Sequence, residues 1–267
     1  MIGSFLNVAA FRYYPEEESF FSYKNWGGRS RCQHCHQQLS WFELIPVLSF
    51  LIQKGRCWIC RRKISWQYPI VELASGFIFL LPFYFQKSFV NGQWSIVESV
   101  IWILVFLTFL LIWAIDYRLY IIPDELSFLL GVLGLLATDF SGKSFLGSYA
   151  LLFGLSENVW QNHLAGLLVG AALVGFIIIF TGGRGMGMGD LKLMGALGLL
   201  YGWPEVLFIF AIASIIGAAA SLILMLVGKK TMRSHIPFGP FLVLGATAVF
   251  FFGEALLKFY FNSLGFF

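Results

Sequence analysis

Ile101-Trp102-Ile103-Leu104-Val105-Phe106-Leu107-Thr108-Phe109-Leu110-Leu111-Ile112-Trp113-Ala114-Ile115-Asp116 is the stretch on which the fold reading turns. With the four residues before it, the run is long enough to cross a hydrocarbon core as a helix, which takes about 20 apolar residues. It closes on a carboxylate at the helix C-terminus, where the helix dipole disfavours an anion. Working outward, comparable apolar runs lie at 69–86, 122–139, 162–181, 190–202, 204–227 and 237–262, beside this one at 97–116. Met1–Phe11 is too short to span. It reads as a partial first span, either a half-helix or a chain whose true start lies upstream. The expectation is an all-α polytopic membrane protein of about eight transmembrane helices.

Composition agrees. The 267 residues are 58% hydrophobic and only 12% charged, with a mean hydropathy of +0.78. Soluble domains carry roughly 25% charged residues, so an ordinary soluble enzyme and a disordered chain are both excluded. Thirty Phe and 28 Gly suit membrane helices that pack through small residues. No cleavable signal peptide, internal repeat or low-complexity tract is discerned. Three parts are expected: a partial span at 1–11, a cytoplasmic metal-binding loop domain at 12–68, and a transmembrane domain at 69–267.

Charge sets the orientation. The 12–68 region holds nine of the 18 Lys and Arg. Placed in the cytoplasm, it brings Arg118, Arg184, Lys192, Lys229, Lys230 and Arg233 to the same side and leaves Lys87, Lys143 and Lys258 opposite. That is the bias of a multi-pass protein of a cell membrane. The cytoplasm is reducing, which argues against disulfides.

All four cysteines lie in that loop, as Cys32-Gln33-His34-Cys35 and Cys57-Trp58-Ile59-Cys60. Each pair puts two thiolates on one turn. Together they supply four soft ligands for a tetrahedral structural Zn²⁺. The alternative is four free thiols or a redox pair. His34 and His36 are read as bystanders, because four cysteines leave no ligand position open.

Acidic residues at membrane depth mark function by default. Asp124 and Glu125 follow Pro123 and read as an ordinary helix start, as does Glu72 after Pro69. Asp116 has no such local explanation. Asp190 ends Gly182-Gly183-Arg184-Gly185-Met186-Gly187-Met188-Gly189, a loop whose glycines allow close backbone approach. The competing reading makes Asp190 the N-cap of the next helix. Two aspartates at one membrane face suggest a dyad that shares one proton and activates water for amide hydrolysis. Helix ends alone would leave the anion on Asp190, at a helix N-terminus, and the shared proton on Asp116.

These residues stand among motifs that resemble the type 4 prepilin peptidase family along nearly the whole chain. The motifs are Gly3-Ser4-Phe5-Leu6-Asn7-Val8, the two cysteine pairs, Ile45-Pro46, Gly55-Arg56-Cys57, and Ile64-Ser65 followed by Tyr68-Pro69 and Glu72. Then come Asp116 with Pro123-Asp124, Gly187-Met188-Gly189-Asp190-Leu191-Lys192-Leu193, and Ile236-Pro237-Phe238-Gly239-Pro240. Trp41-Phe42-Glu43-Leu44-Ile45-Pro46 is similar to Gram-positive, competence-type members. The resemblance implies a catalytic Asp116 and Asp190, with Gly187, Gly189 and Lys192 in the active-site loop. It implies cleavage of basic leaders from type IV prepilins or pseudopilins at the cytoplasmic membrane face. It also implies N-methylation of the new terminus from S-adenosylmethionine. The bilayer is the expected environment, and no nucleic-acid partner is expected. Glu16, Glu17, Glu18 and Glu43 are the acids available to attract a basic leader. The rival is a zinc-anchored transporter with Asp116 and Asp190 as its proton relay, which needs carboxylates near the midplane and a pair of broken helices.

Overall fold

A computed structural model describes residues 2–15, 19–22, 28–88, 95–141, 158–228 and 235–263, without side chains at 83–88, 140–141, 254 and 257–263. Glu16, Glu17 and Glu18, with Lys24, Lys143, Lys229, Lys230 and Arg233, lie outside the described residues. The described chain is helical, without strands beyond two isolated bridges. Its helices are α1 (Ile2–Arg12), α2 (Leu48–Ile52), α3 (Gln67–Ser88), α4 (Ile96–Leu119), α5 (Asp124–Ser141), α6 (Val159–Thr181), α7 (Met188–Tyr201), α8 (Glu205–Leu226) and α9 (Gly239–Ser263).

Each of the eight apolar stretches is therefore a helix. Among the described residues, three of them, α4, α6 and α8, are long and apolar enough to cross a membrane, with mean hydropathies of 2.5, 2.6 and 2.6. Helix α7 has 14 residues, about 21 Å of rise. That is short for a hydrocarbon core of about 30 Å.

The chain divides into two compact units, Met1–Ile115 and Asp116–Phe267. In the first, α1 lies on α3. Gly3 makes this possible, because a Cβ there would run into Ser75 Oγ and stand 2.8 Å from Glu72 Cα. Fully buried Asn7 donates from Nδ2 to the Tyr68 carbonyl at 3.2 Å, and the Phe11 and Tyr68 rings stack at 4.8 Å. Residues 28–66 carry two hairpins and the short α2.

In the second unit α7 is the central helix, buried from Leu193 to Tyr201. Glycines bring its neighbours to backbone contact. A Cβ at Gly198 would strike the Gly166 carbonyl of α6, one at Gly170 would lie 2.6 Å from the Met194 carbonyl, and one at Gly134 of α5 would lie 2.9 Å from Leu200 Cα. Lipid tails are as apolar as leucine, so helices in a membrane gain most from this close packing. Helix α6 ends on Gly182 and Gly183, both at positive φ (+59° and +77°), whose N–H groups return to Ile179 and Ile178. This satisfies carbonyls that the helix end leaves free. Residues 182–187 are non-helical, as the glycines predict, but the next helix resumes at Met188 and takes Gly189 into its first turn.

Candidate active site and metal centre

The four-cysteine cluster, which could hold a metal ion, is built locally, within the first unit. At the first hairpin Cys32 N–H donates to the Gln37 carbonyl and His36 N–H to the Cys32 carbonyl, both at 2.9 Å. At the second, Cys57 N–H donates to Arg62 (3.0 Å) and Arg61 N–H to Cys57 (2.9 Å). His36 and Arg61 both take φ = +56°, uncommon for non-glycine residues. Antiparallel bridges pair Arg31 with Gln38 and Arg56 with Lys63. The hairpins are one design used twice, 25 positions apart, and they correct the expectation of no internal repeat. Arg31-Cys32, Cys35 and Ser40-Trp41 recur as Arg56-Cys57, Cys60 and Ser65-Trp66. The signal is short, and periods of 20–50 residues are the ones to search for.

The four Sγ atoms lie within 4.8 Å of one another, with Cys32 and Cys60 at 3.9 Å. A tetrahedral site with Zn–S bonds of about 2.3 Å has sulfur–sulfur edges of about 3.8 Å, so the donor set fits a closed four-thiolate metal site. Partial burial opposes ionisation of Cys32. The N–H groups of Cys35 and His34 and the thiols of Cys35 and Cys57 outweigh it, bringing its pKa to about 7. The Gln37 N–H favours a Cys35 thiolate. Desolvation, the bonds to Cys32 and Cys60 and the Cys32 charge prevail and hold Cys35 at about 11. His34 and His36 stand outside the cluster.

The carboxylates are placed by tertiary structure, within the second unit. Asp116 sits in the last turn of α4, its carbonyl accepting from Tyr120 N–H at 2.9 Å. Its side chain is buried, 4% exposed, and Oδ2 accepts from Gly239 N–H at 2.9 Å, the first residue of α9. Asp190 is half-buried in the first turn of α7, where Gly187 N–H donates to its Oδ2 at 3.0 Å. It caps from inside the helix, three residues after Gly187, rather than as the N-cap itself.

Asp116 lies within the electrostatic field of Asp190. Ile122 joins their surroundings: a Cβ on Gly189 would come 3.2 Å from Ile122 Cβ, and one on Gly239 would come 3.1 Å from Ile122 Cδ1 and 2.6 Å from Asp116 Oδ2. Close approach thus favours glycine at 239, where the Asp116 carboxylate would have to move, and leaves little room beside Ile122 at 189. Gly239 is a site residue that local sequence reasoning passed over. Only its place in Ile236–Pro240 marked it.

The other acids take structural parts. Asp124 and Glu125 open α5 as expected, and Asp124 also pairs with Lys192 of α7, both side chains being well exposed (64% and 45%). Glu72 lies in the second turn of α3 rather than at its start. It accepts from Ser4 Oγ and from Val47 N–H (2.8 Å), which ties α1 and the loop before α2 to α3. Glu43 caps the 3₁₀ turn Trp41–Leu44 by accepting from Ser40 N–H at 2.8 Å. Gly187 is exposed, and Gly189 is half-buried.

Comparison with known proteins bears on both units. The model of the bacterial Peptidase A24 N-terminal domain matches residues 1–85, and that of the type IV leader peptidase family matches 102–222. A prepilin leader peptidase/N-methyltransferase of Aeromonas hydrophila is 31% identical over 283 residues, covering 98% of this chain and 91% of the relative. A protein of the same name from Bacillus subtilis (strain 168) is 30% identical over 234 residues, covering 87% and 85%. One from Stutzerimonas stutzeri is 28% identical over 278 residues, covering 97% and 90%. No solved structure matches. With both units matched and relatives aligned over most of their length at this identity, the chain belongs to the type IV leader peptidase family and is a membrane peptidase.

Proposed function

We propose that Asp116 and Asp190 are the catalytic pair of an aspartic endopeptidase. It removes the basic leader from type IV pilin-like precursors at the cytoplasmic face of a bacterial cell membrane. The observation that carries this is the buried Asp116 carboxylate, in the field of Asp190, with both held by backbone N–H groups at helix starts. Two interacting carboxylates share one proton. The ionised one takes a proton from water, and the water oxygen attacks the scissile carbonyl carbon. The protonated one gives its proton toward the carbonyl oxygen. Collapse breaks the C–N bond and a carboxyl protonates the leaving amine. Gly187 ends the loop before α7 and caps it, and Gly189 and Lys192 flank Asp190 in the first turns of that helix. The Gly239 and Gly187 N–H groups hold the two carboxylates, with no side-chain donor to either among the described residues.

Residues 12–68 act as a loop domain in which Cys32, Cys35, Cys57 and Cys60 hold a structural Zn²⁺, and 69–267 act as the peptidase domain of an eight-span protein. With no ligand position free, the metal supplies folding free energy rather than chemistry. The relatives' names include N-methyltransferase, and we extend S-adenosylmethionine-dependent methylation of the new N-terminus to this chain.

The test is co-expression with a pilin precursor, read by gel mobility and by mass spectrometry of the mature N-terminus. The wild type yields cleaved, methylated pilin. Asp116→Asn and Asp190→Asn yield precursor at normal membrane level. Cleavage by either variant at the wild-type rate would remove the dyad.

A further inference from the structure

Beside the second cysteine hairpin, basic and large exposed apolar side chains stand together, and the peptide chemistry uses neither property. An open cleft of about 430 Å³ lies between α2 and the second cysteine hairpin. Phe50, Leu51 and Trp66 form its apolar wall, and Lys54, Arg56 and Lys63 are the charged residues that line it. No carboxylate is among the residues lining it, and the three cations have no ion pair among the described residues. Leu51 is 64% exposed and Trp66 is 71% exposed, although neither belongs to a long helix where exposure would mean lipid tails. The Phe50 and Trp66 rings contact at 5.1 Å, so the wall is fixed in place.

The repeat sharpens this. The first hairpin presents Gln38 where the second presents Lys63, and His36 and Gln37 where the second presents Arg61 and Arg62. The shared backbone holds the metal in both. Arg31 and Arg56 are common to both, but Arg61, Arg62 and Lys63 are added in the second hairpin alone, so the shared metal-binding design does not account for that added charge.

Position identifies the occupant. Trp66 is followed directly by Gln67, the first residue of α3, whose Gln67–Pro82 portion is apolar. The cleft is thus tethered at the end of a membrane helix, at the depth where tryptophan rings and basic side chains sit. A cationic cleft with no carboxylate repels a basic leader peptide and attracts phosphate groups.

We propose that this cleft is a binding site for anionic lipid headgroups. Lys54, Arg56 and Lys63 hold the headgroup phosphate, while Leu51 and Trp66 enter the headgroup–acyl boundary. Docking holds the second hairpin against the bilayer. This rests on α3 being a membrane helix and is independent of the catalytic assignment of Asp116 and Asp190.

The test is hydrogen exchange of the full-length protein in nanodiscs. One set contains phosphatidylcholine alone, and the other contains phosphatidylcholine with phosphatidylglycerol. Each cation near an anionic surface favours association roughly fivefold. Exchange across residues 48–66 is therefore expected to slow at least about tenfold in the anionic discs at low salt. The triple variant Lys54→Gln/Arg56→Gln/Lys63→Gln should lose that difference while keeping its metal content and the protection of α7. If the variant loses metal, the wild-type comparison at low and high salt decides alone, since electrostatic docking weakens with salt. Equal exchange of the wild type in the two lipids would overturn the proposal. So would protection produced in phosphatidylcholine discs by inorganic phosphate or by a basic leader peptide.

Discussion

The cysteine centre and the carboxylate centre are assembled in opposite ways. Cys32 and Cys35 share one turn, as do Cys57 and Cys60, and each hairpin is closed by hydrogen bonds among its own residues. Asp116 and Asp190 lie 74 positions apart, and the backbone donor for Asp116 comes from Gly239, 123 positions away. The first centre needs two local turns to meet. The second needs α4, α7 and α9 to end near one another, with Ile122 between. A locally built site tolerates change elsewhere in the chain, whereas a site built from helix ends is sensitive to packing far along the sequence.

The largest effect that can break this comparison is at the carboxylates. Asp116→Asn and Asp190→Asn should each lower the cleavage rate by about 10³-fold or more, the range of acid–base catalysis by positioned groups. Membrane level should not change. Parity with wild type for either would mean that the two do not act as a unit.

Next comes the packing that places them. Gly239→Ala puts a Cβ 2.6 Å from Asp116 Oδ2, so the carboxylate must move. Displacement by about 1 Å can cost about a hundredfold in rate. The loss should fall on kcat rather than on KM, because the substitution disturbs a reacting group. A rate within threefold of wild type would show that the α9 start does not hold Asp116.

The local centre should respond in another currency. Cys57→Ser, or stripping the metal with a chelator, should raise proteolytic nicking of residues 28–66 by about tenfold, since metal binding and folding of such a loop are coupled. Peptide cleavage should fall less than it does in Gly239→Ala. Purified protein should carry about one zinc per chain, and metal analysis finding none would withdraw the site.

The smallest effect is expected at the exposed pair. Lys192→Ala or Asp124→Asn breaks an ion pair in water, worth about 1 kcal/mol or less. The cleavage rate should stay within about fivefold of wild type. A loss as large as that of Asp190→Asn would move Asp124 or Lys192 into the catalytic machinery.

Several elements were legible without coordinates. Eight apolar stretches became helices, because a chain this poor in charge leaves its backbone no partner in lipid but itself. The cysteine pairs were legible because spacing on one turn is a local property. Asp124 and Glu125 read correctly as a helix start for the same reason. Less visible was the hairpin repeat, whose five identities in two short segments carry little signal until the matching bridges and φ angles are seen. Glu72 was read by position alone, whereas its partners Ser4 and Val47 are distant in sequence.

By itself the sequence determined the membrane class, the helices, the cysteine cluster and the two aspartates singled out by their chemistry. Periodicity, charge and ligand spacing act between near neighbours. Tertiary structure decided what surrounds those aspartates. From helix ends alone Asp190 had a backbone donor and Asp116 had none. The start of α9 supplies Asp116 with the N–H of Gly239, so that local argument no longer separates the two carboxylates. The reason is physical: a helix terminus is a fixed donor, and which side chain it meets is set by the packing of distant helices, not by the residues beside it.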